Sequence, residues 1–211
     1  MFSKALEDYA ATISSAADEI AGERKALLRP VVSYLLEVIS KKHEPNLLFV
    51  CTQNSRRSMF AEVWAQVAAW KFGIKNFHAF SAGSVSTALH PNTRAALNRT
   101  GMLIEAISGG ENPLYRAEFG AAIPPMKLFS KDIDHPELPK KNFGAVLVCV
   151  NDAEACPFIP YADVRIPLPY SDPKKFDGTD EMIAAYDRCC REIAKEMFWV
   201  MKQVSVKTAR G

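Results

Sequence analysis

The run Asn46-Leu47-Leu48-Phe49-Val50 ends abruptly at Cys51, and a polar segment, Thr52-Gln53-Asn54-Ser55-Arg56-Arg57-Ser58, leads from it into a helical pattern. An unbroken apolar run of that length reads as a parallel strand buried on both faces. Phe60, Val63, Trp64, Val67 and Trp70 then fall on apolar helix faces and predict a helix over 59–72. Strand, short loop and helix open a right-handed crossover, so the chain is committed to an α/β fold with a parallel sheet covered by helices. Ligands in such folds sit beyond the carboxyl ends of the strands. Cys51 occupies one of those ends.

The rest of the chain extends the same alternation. A second strand is predicted over 76–81, running into Ala82-Gly83, and His90-Pro91 opens a helix that stops at Gly101. Residues 143–150 (FGAVLVCV) read as another buried strand, 163–168 as a short fourth, and 179–204 as a long terminal helix. Residues 105–140 are rich in Gly, Pro and charge and give no periodic signal. Upstream, residues 3–43 read as two helices broken near Gly22. The second carries Leu27, Leu28, Val31, Val32, Leu35, Leu36 and Ile39 at helical spacing. That stripe packs either on the main body or against a second copy of the chain. The organisation expected is a helical extension, 1–45, and a catalytic domain, 46–211.

The loop itself carries the chemistry. A loop entering a helix N-terminus turns backbone N–H groups and the positive dipole end towards one point, which suits an anion. The same field favours the thiolate of a cysteine placed there. Arg57, six residues after Cys51, is positioned to fold back and hold an oxyanion through two parallel hydrogen bonds. Ser58 is placed to donate its hydroxyl to the thiolate. These residues together predict a nucleophilic cysteine acting on a tetrahedral oxyanion. The expected cradle is Thr52, Gln53, Asn54, Ser55, Arg56 and Arg57.

Composition excludes several other classes. Lys and Arg number 26 against 24 Asp and Glu, a net charge of +2, which makes no electrostatic case for nucleic acid or a membrane surface. The first residues lack the basic start and apolar core of a signal peptide, and no stretch approaches the roughly 20 apolar residues that span a bilayer. Five cysteines (Cys51, Cys149, Cys156, Cys189, Cys190) without a secretion signal argue against a structural disulfide framework, and a cytoplasmic location is expected. The four histidines, His43, His78, His90 and His135, have no ligand-like spacing, so no zinc site is expected. Cys189 and Cys190, adjacent on a helix, diverge by about 100° and read as packing residues.

The segment from Val50 to Glu62 resembles the signature loop of the low-molecular-weight protein tyrosine phosphatase superfamily. Its Cys-Thr-x-Asn-Ser form most resembles the thioredoxin-coupled arsenate reductase branch. Ser81-Ala82-Gly83, His90-Pro91 and Tyr170-Ser171-Asp172-Pro173 follow in the order that family has, over roughly residues 46–204. The resemblance implies a four-stranded parallel sheet flanked by helices, with Asp172 protonating the departing oxygen. It also implies a relay. Cys51 attacks arsenate, Cys149 attacks the Cys51–arsenic adduct and releases arsenite, and Cys156 then draws the disulfide outwards to a Cys149–Cys156 pair that thioredoxin reduces.

The alternative it carries is a phosphatase working through a cysteinyl-phosphate. Asp172-Pro173 is followed by Lys174-Lys175-Phe176 where the phosphatases have tyrosines, leaving Phe176 and Tyr170 as the available aromatic wall. Arg56 stands where the resembling reductases often have Cys. No tightly bound cofactor is implied. Some reductases of that branch hold a potassium ion near the loop, and Asn54, Glu62 and Ser81 match its ligand positions.

Overall fold

The computed structural model describes residues 1–149 and 159–209. In chain order its elements are α1 (Lys4–Ala17), α2 (Gly22–Ser40), β1 (Asn46–Cys51), α3 (Arg57–Lys71), β2 (His78–Gly83) and α4 (Pro91–Arg99). There follow β3 (Leu103–Ala106), β4 (Tyr115–Glu118), β5 (Met126–Leu128), β6 (Gly144–Leu147) and β7 (Val164–Pro167). A 3-10 turn at Pro173–Phe176 then precedes α5 (Met182–Thr208). The sheet is four-stranded and parallel, in the order β2-β1-β6-β7, as the alternating pattern requires.

β1 is central and buried on both faces, and its two-residue period divides it between two cores. Leu47 and Phe49 join the large cluster built with α3 and α5, while Leu48 and Val50 pack with Ala82, Phe143 and Ala145 on the other side. Gly144 lets α2 lie close to the sheet, because a Cβ there would come within 2.8 Å of the Tyr34 ring. Tyr34 in turn donates from its hydroxyl to Asp163 Oδ2 at 2.9 Å.

Residues 105–140 differ from the sequence expectation. They contribute to a second, three-stranded antiparallel sheet, β3-β4-β5. Its strands are three or four residues long, too short for an alternation to register in sequence. Element ends shift as well. α3 begins at Arg57, two residues earlier than its apolar period suggests, and β6 ends at Leu147 because the chain leaves the sheet after Val148 N bonds Val50 O.

Most of the apolar stripe of α2 is buried inside the chain, while Leu27 stays exposed. Leu28, Val31, Val32 and Leu35 are buried in the same cluster as Leu6, Ala10 and Ile13 of α1 and Phe198 and Met201 of α5. One ion pair fixes these helices. Arg24 of α2 meets Glu196 of α5 through Nε–Oε1 at 2.6 Å and Nη2–Oε2 at 2.8 Å, and its Nη1 donates to Pro169 O at 3.0 Å. The Tyr170 hydroxyl donates to the same carboxylate at 2.6 Å, under the Arg24 guanidinium 4.7 Å from the ring centre. Removing one partner strands a buried charge. Arg24→Ala should cost about 3 kcal/mol, read as a lower urea midpoint with an unchanged slope; a loss below about 0.5 kcal/mol would mark the pair as superficial.

Candidate active site

The loop between β1 and α3 is held open in an unusual conformation. Asn54 has φ +45°, a region that Asn tolerates better than most side chains, and Arg56 at φ −130°, ψ −91° keeps the chain out of the helix until Arg57. No side chain caps α3. The backbone N–H groups of Thr52 through Ser58 find no hydrogen-bond acceptor among the described residues.

The loop is instead secured through its carbonyls and side chains. Ser84 N and Val85 N donate to Cys51 O and Thr52 O at 3.3 and 3.1 Å, and His90 N donates to Ser55 O at 3.1 Å. Gln53 O accepts from Thr87 Oγ1 at 2.9 Å and Ser130 Oγ at 3.1 Å, while Ser55 Oγ donates to Ala88 O at 2.6 Å. Gly83 ends β2 directly against this loop. A Cβ there would lie 2.7 Å from Asn54 N and Thr52 O, which is why the Ser81-Ala82-Gly83 motif needs glycine.

Cys51 is 4% exposed, and its Sγ lies 3.0 Å from Ser58 Oγ. Asn54 Nδ2 donates to the same hydroxyl at 2.9 Å, which orients Ser58 to give its own proton to sulfur. A cavity of about 190 Å³ opens here, lined by Cys51, Thr52, Gln53, Ser55, Arg56, Arg57, Asp172 and Lys174. Sequence reasoning did not anticipate Lys174, the first of two lysines in the 3-10 turn after Asp172. Asn54, expected in the cradle, is fully buried beneath the loop and does not line the cavity.

The two arginines reach the same segment of chain. Arg57 Nη2 pairs with Asp172 Oδ2 at 2.6 Å and Nη1 donates to Tyr170 O at 3.2 Å; its buried Nε has no partner among the described residues. Asp172 Oδ1 meanwhile accepts from Lys174 N at 3.0 Å and caps the 3-10 turn. Arg56 does not present its guanidinium freely to the cavity. Its Nε donates to the Tyr186 hydroxyl at 2.6 Å, Nη2 to Asp177 Oδ2 at 3.0 Å and Nη1 to Gln53 Oε1 at 3.3 Å. Tyr186 donates onward to Asp177 Oδ1 at 2.8 Å, and burial pushes its hydroxyl up to about 12.

His90 stacks on Tyr186 with ring centres 5.3 Å apart and caps α4 by accepting from Asn92 N at 3.2 Å. Burial and the neighbouring Arg56 lower its basicity. Tyr170 cannot act as an aromatic wall, because it is buried with its hydroxyl on Glu196, and Phe176 does not line the cavity.

Cys149, partly buried two residues beyond β6, directs its Sγ towards Val50 O at 3.7 Å, beside the residue that precedes Cys51. Cys156 lies outside the described residues. Cys189 and Cys190 are buried in α5, where burial raises both thiols above their ordinary range and Trp64 Nε1 donates to Cys190 Sγ at 3.2 Å.

Residues 46–111 match the family model of the low molecular weight phosphotyrosine protein phosphatases. Over that segment the chain is similar to these phosphatases. Its curated relatives include an arsenate reductase of Halalkalibacterium halodurans, 28% identical over 152 residues, covering 72% of this chain and 91% of the relative. An arsenate reductase of Bacillus licheniformis is 27% identical over 143 residues, covering 68% and 82%. Among solved structures, an arsenate reductase in a phosphate-binding state aligns over 76% of this chain and 98% of its own at 14% identity, with a TM-score of 0.47. No described helix is long and apolar enough to cross a membrane.

Of the three potassium-matching residues, Glu62 is wholly buried and accepts from the Ser81 hydroxyl, and the Lys131 ammonium stands 3.9 Å from Glu62 Oε1. Asn54 Oδ1 is taken by the backbone N–H of Lys131 at 2.7 Å. Lys131 already supplies the positive charge at this carboxylate and a donor to Asn54, so the donor set does not fit a potassium ion.

Because Asp172 occupies Arg57, an oxyanion must displace it. Asp172→Ala should bind inorganic phosphate about fivefold tighter, the equivalent of an ion pair worth about 1 kcal/mol, by titration calorimetry. Weaker binding in the variant would mean that Asp172 helps hold the anion.

Proposed function

We propose that the protein is an arsenate reductase that turns over arsenate at Cys51 and passes the resulting disulfide to thioredoxin. The observation that carries this reading is the second thiol. Cys149 stands beside Val50, next to the nucleophile's own strand end, where a phosphatase has no need of one. The small cavity supports it, since none of its described lining residues is aromatic and its walls suit a bare oxyanion. Two curated relatives with this function cover most of their length in the match.

In this mechanism the N–H groups of Thr52–Ser58, with Arg57, hold three arsenate oxygens, and Arg57 Nε supplies a donor that has no partner among the described residues. Ser58, oriented by Asn54, donates to Cys51 Sγ and supports the thiolate. The thiolate attacks arsenic(V), and Asp172 protonates the oxygen that departs as water. Cys149 then attacks Cys51 Sγ. The sulfur–arsenic bond breaks with its electron pair on arsenic, leaving arsenite and a Cys51–Cys149 disulfide; two thiols are oxidised and arsenic(V) is reduced. Cys156 attacks Cys149, releasing the Cys51 thiolate, and a thioredoxin dithiol reduces the Cys149–Cys156 pair. Such a cycle belongs in a reducing, cytoplasmic compartment.

The family model favours one second reading, a phosphatase. There Cys51 would take a phosphoryl group, Asp172 would protonate the leaving alcohol, and water would release phosphate.

The discriminating assay couples the pure protein to thioredoxin, thioredoxin reductase and NADPH. Arsenate-dependent NADPH consumption is expected, abolished in Cys149→Ser, while any aryl-phosphate hydrolysis survives that substitution. No consumption together with aryl-phosphate hydrolysis would transfer the assignment to phosphatase. Asp172→Asn should lower the turnover rate about 10²-fold or more in either case, as for loss of a general acid.

A further inference from the structure

The loop's underside holds a charged residue that the mechanism does not use. Lys131 follows β5 and is 4% exposed, so its ammonium has been taken almost wholly out of water. A buried lysine of this kind requires a counter-charge. Glu62 of α3 supplies it at 3.9 Å, and Phe129 contributes its carbonyl at 3.1 Å and its ring face at 4.5 Å from Nζ.

The backbone of the same residue joins two other walls. Lys131 N donates to Asn54 Oδ1 at 2.7 Å, and Lys131 O accepts from Gly83 N at 2.9 Å. One residue therefore ties the oxyanion loop, the end of β2 and the inner face of α3 together. From Asn54 the connection continues through Ser58 to Cys51 Sγ.

We propose that Lys131 is the resident cation of the oxyanion loop, standing where the resemblance implies a potassium ion in some reductases, so that the loop's shape requires no monovalent cation from solution. Three features carry it. The amide oxygen of Asn54 is already occupied, by Lys131 itself. The Ser81 hydroxyl gives its proton to Glu62 and is oriented as a donor to that carboxylate. The charge that Glu62 needs is supplied by a side chain already within reach. An adjoining cavity of about 410 Å³, bordered by Glu62, Gln66, Trp70, His78 and Lys131, gives solvent ions an approach to Glu62 once the lysine stem is removed.

The test is thermal melting and phosphate titration of the full chain in KCl and in NaCl at equal ionic strength. The wild type should melt at the same temperature and bind phosphate equally in both salts. Lys131→Ala should melt several degrees lower in NaCl, bind phosphate about tenfold more weakly, and recover part of both losses in KCl, whose ion the emptied site admits. Lys131→Met keeps the stem and drops the charge; it should lose stability without the potassium rescue, and the double variant with Glu62→Gln should lose less than the two single losses added. A wild type stabilised by KCl over NaCl overturns the proposal, as does a Lys131→Met protein that melts and binds like the wild type. If neither single variant folds, the wild-type salt comparison decides alone. None of these readouts involves turnover, so the result is separable from the choice between reductase and phosphatase.

Discussion

The oxyanion loop leaves its amide N–H groups unbonded to any described residue and still holds one shape. Unpaired backbone donors at a strand end and a helix start would ordinarily be claimed by a cap or a turn. Here the loop is gripped everywhere except through those donors. Neighbouring segments donate to its carbonyls at Cys51, Thr52, Gln53 and Ser55, and the Asn54 side chain is fastened at both its atoms. The fold around the loop follows from that requirement: the 84–90 segment braces one side, the 130–132 segment another, and both present donors.

The same economy governs the loop of Asp172. Consecutive arginines, Arg56 and Arg57, reach Asp177 and Asp172, one at each end of the 3-10 turn. Arg57 must exchange its carboxylate for substrate in each cycle, whereas Arg56 is saturated by Tyr186, Gln53 and Asp177. One arginine is thus free to work because the next holds the turn in place. On the opposite side Arg24 and Glu196 anchor Pro169 and Tyr170, so an N-terminal helix fixes the approach to the same turn.

Much of this was legible in the sequence because it is local. Cys51, Arg57 and Ser58 lie within one loop whose composition and flanking periodicity announce its geometry, and the parallel sheet follows from the alternation of strands and helices. Asp172 was legible through motif order. What escaped was contact across long sequence distance. Lys131 and Ser130 meet the loop from 77 residues away, and Arg24 meets Glu196 across 172. A lysine in a Gly- and Pro-rich stretch looks like a solvated surface residue until the fold buries it. The β3-β4-β5 sheet was hidden for a related reason, its strands being shorter than the window over which alternation can be read. Arg56 lines the cavity as adjacency to Arg57 suggested, but its partners Tyr186 and Asp177, 130 and 121 residues away, were not legible locally.

Placing the charged support below the loop, with the mouth small and polar, also determines which chemistry the site accommodates. Lys131 beneath the loop holds Asn54 through its backbone N–H and keeps its ammonium on Glu62, outside the cavity, so it does not compete with Arg57 for the oxyanion. An aromatic at the mouth would add affinity for an aryl ester, but the hydroxyl of Tyr170 is committed to Glu196 and the Phe176 ring is flanked by Lys175 and Arg188. A small polar mouth selects by charge and size, and on the proposed reading the neighbouring thiol at Cys149 turns the product of the first attack towards reduction rather than hydrolysis.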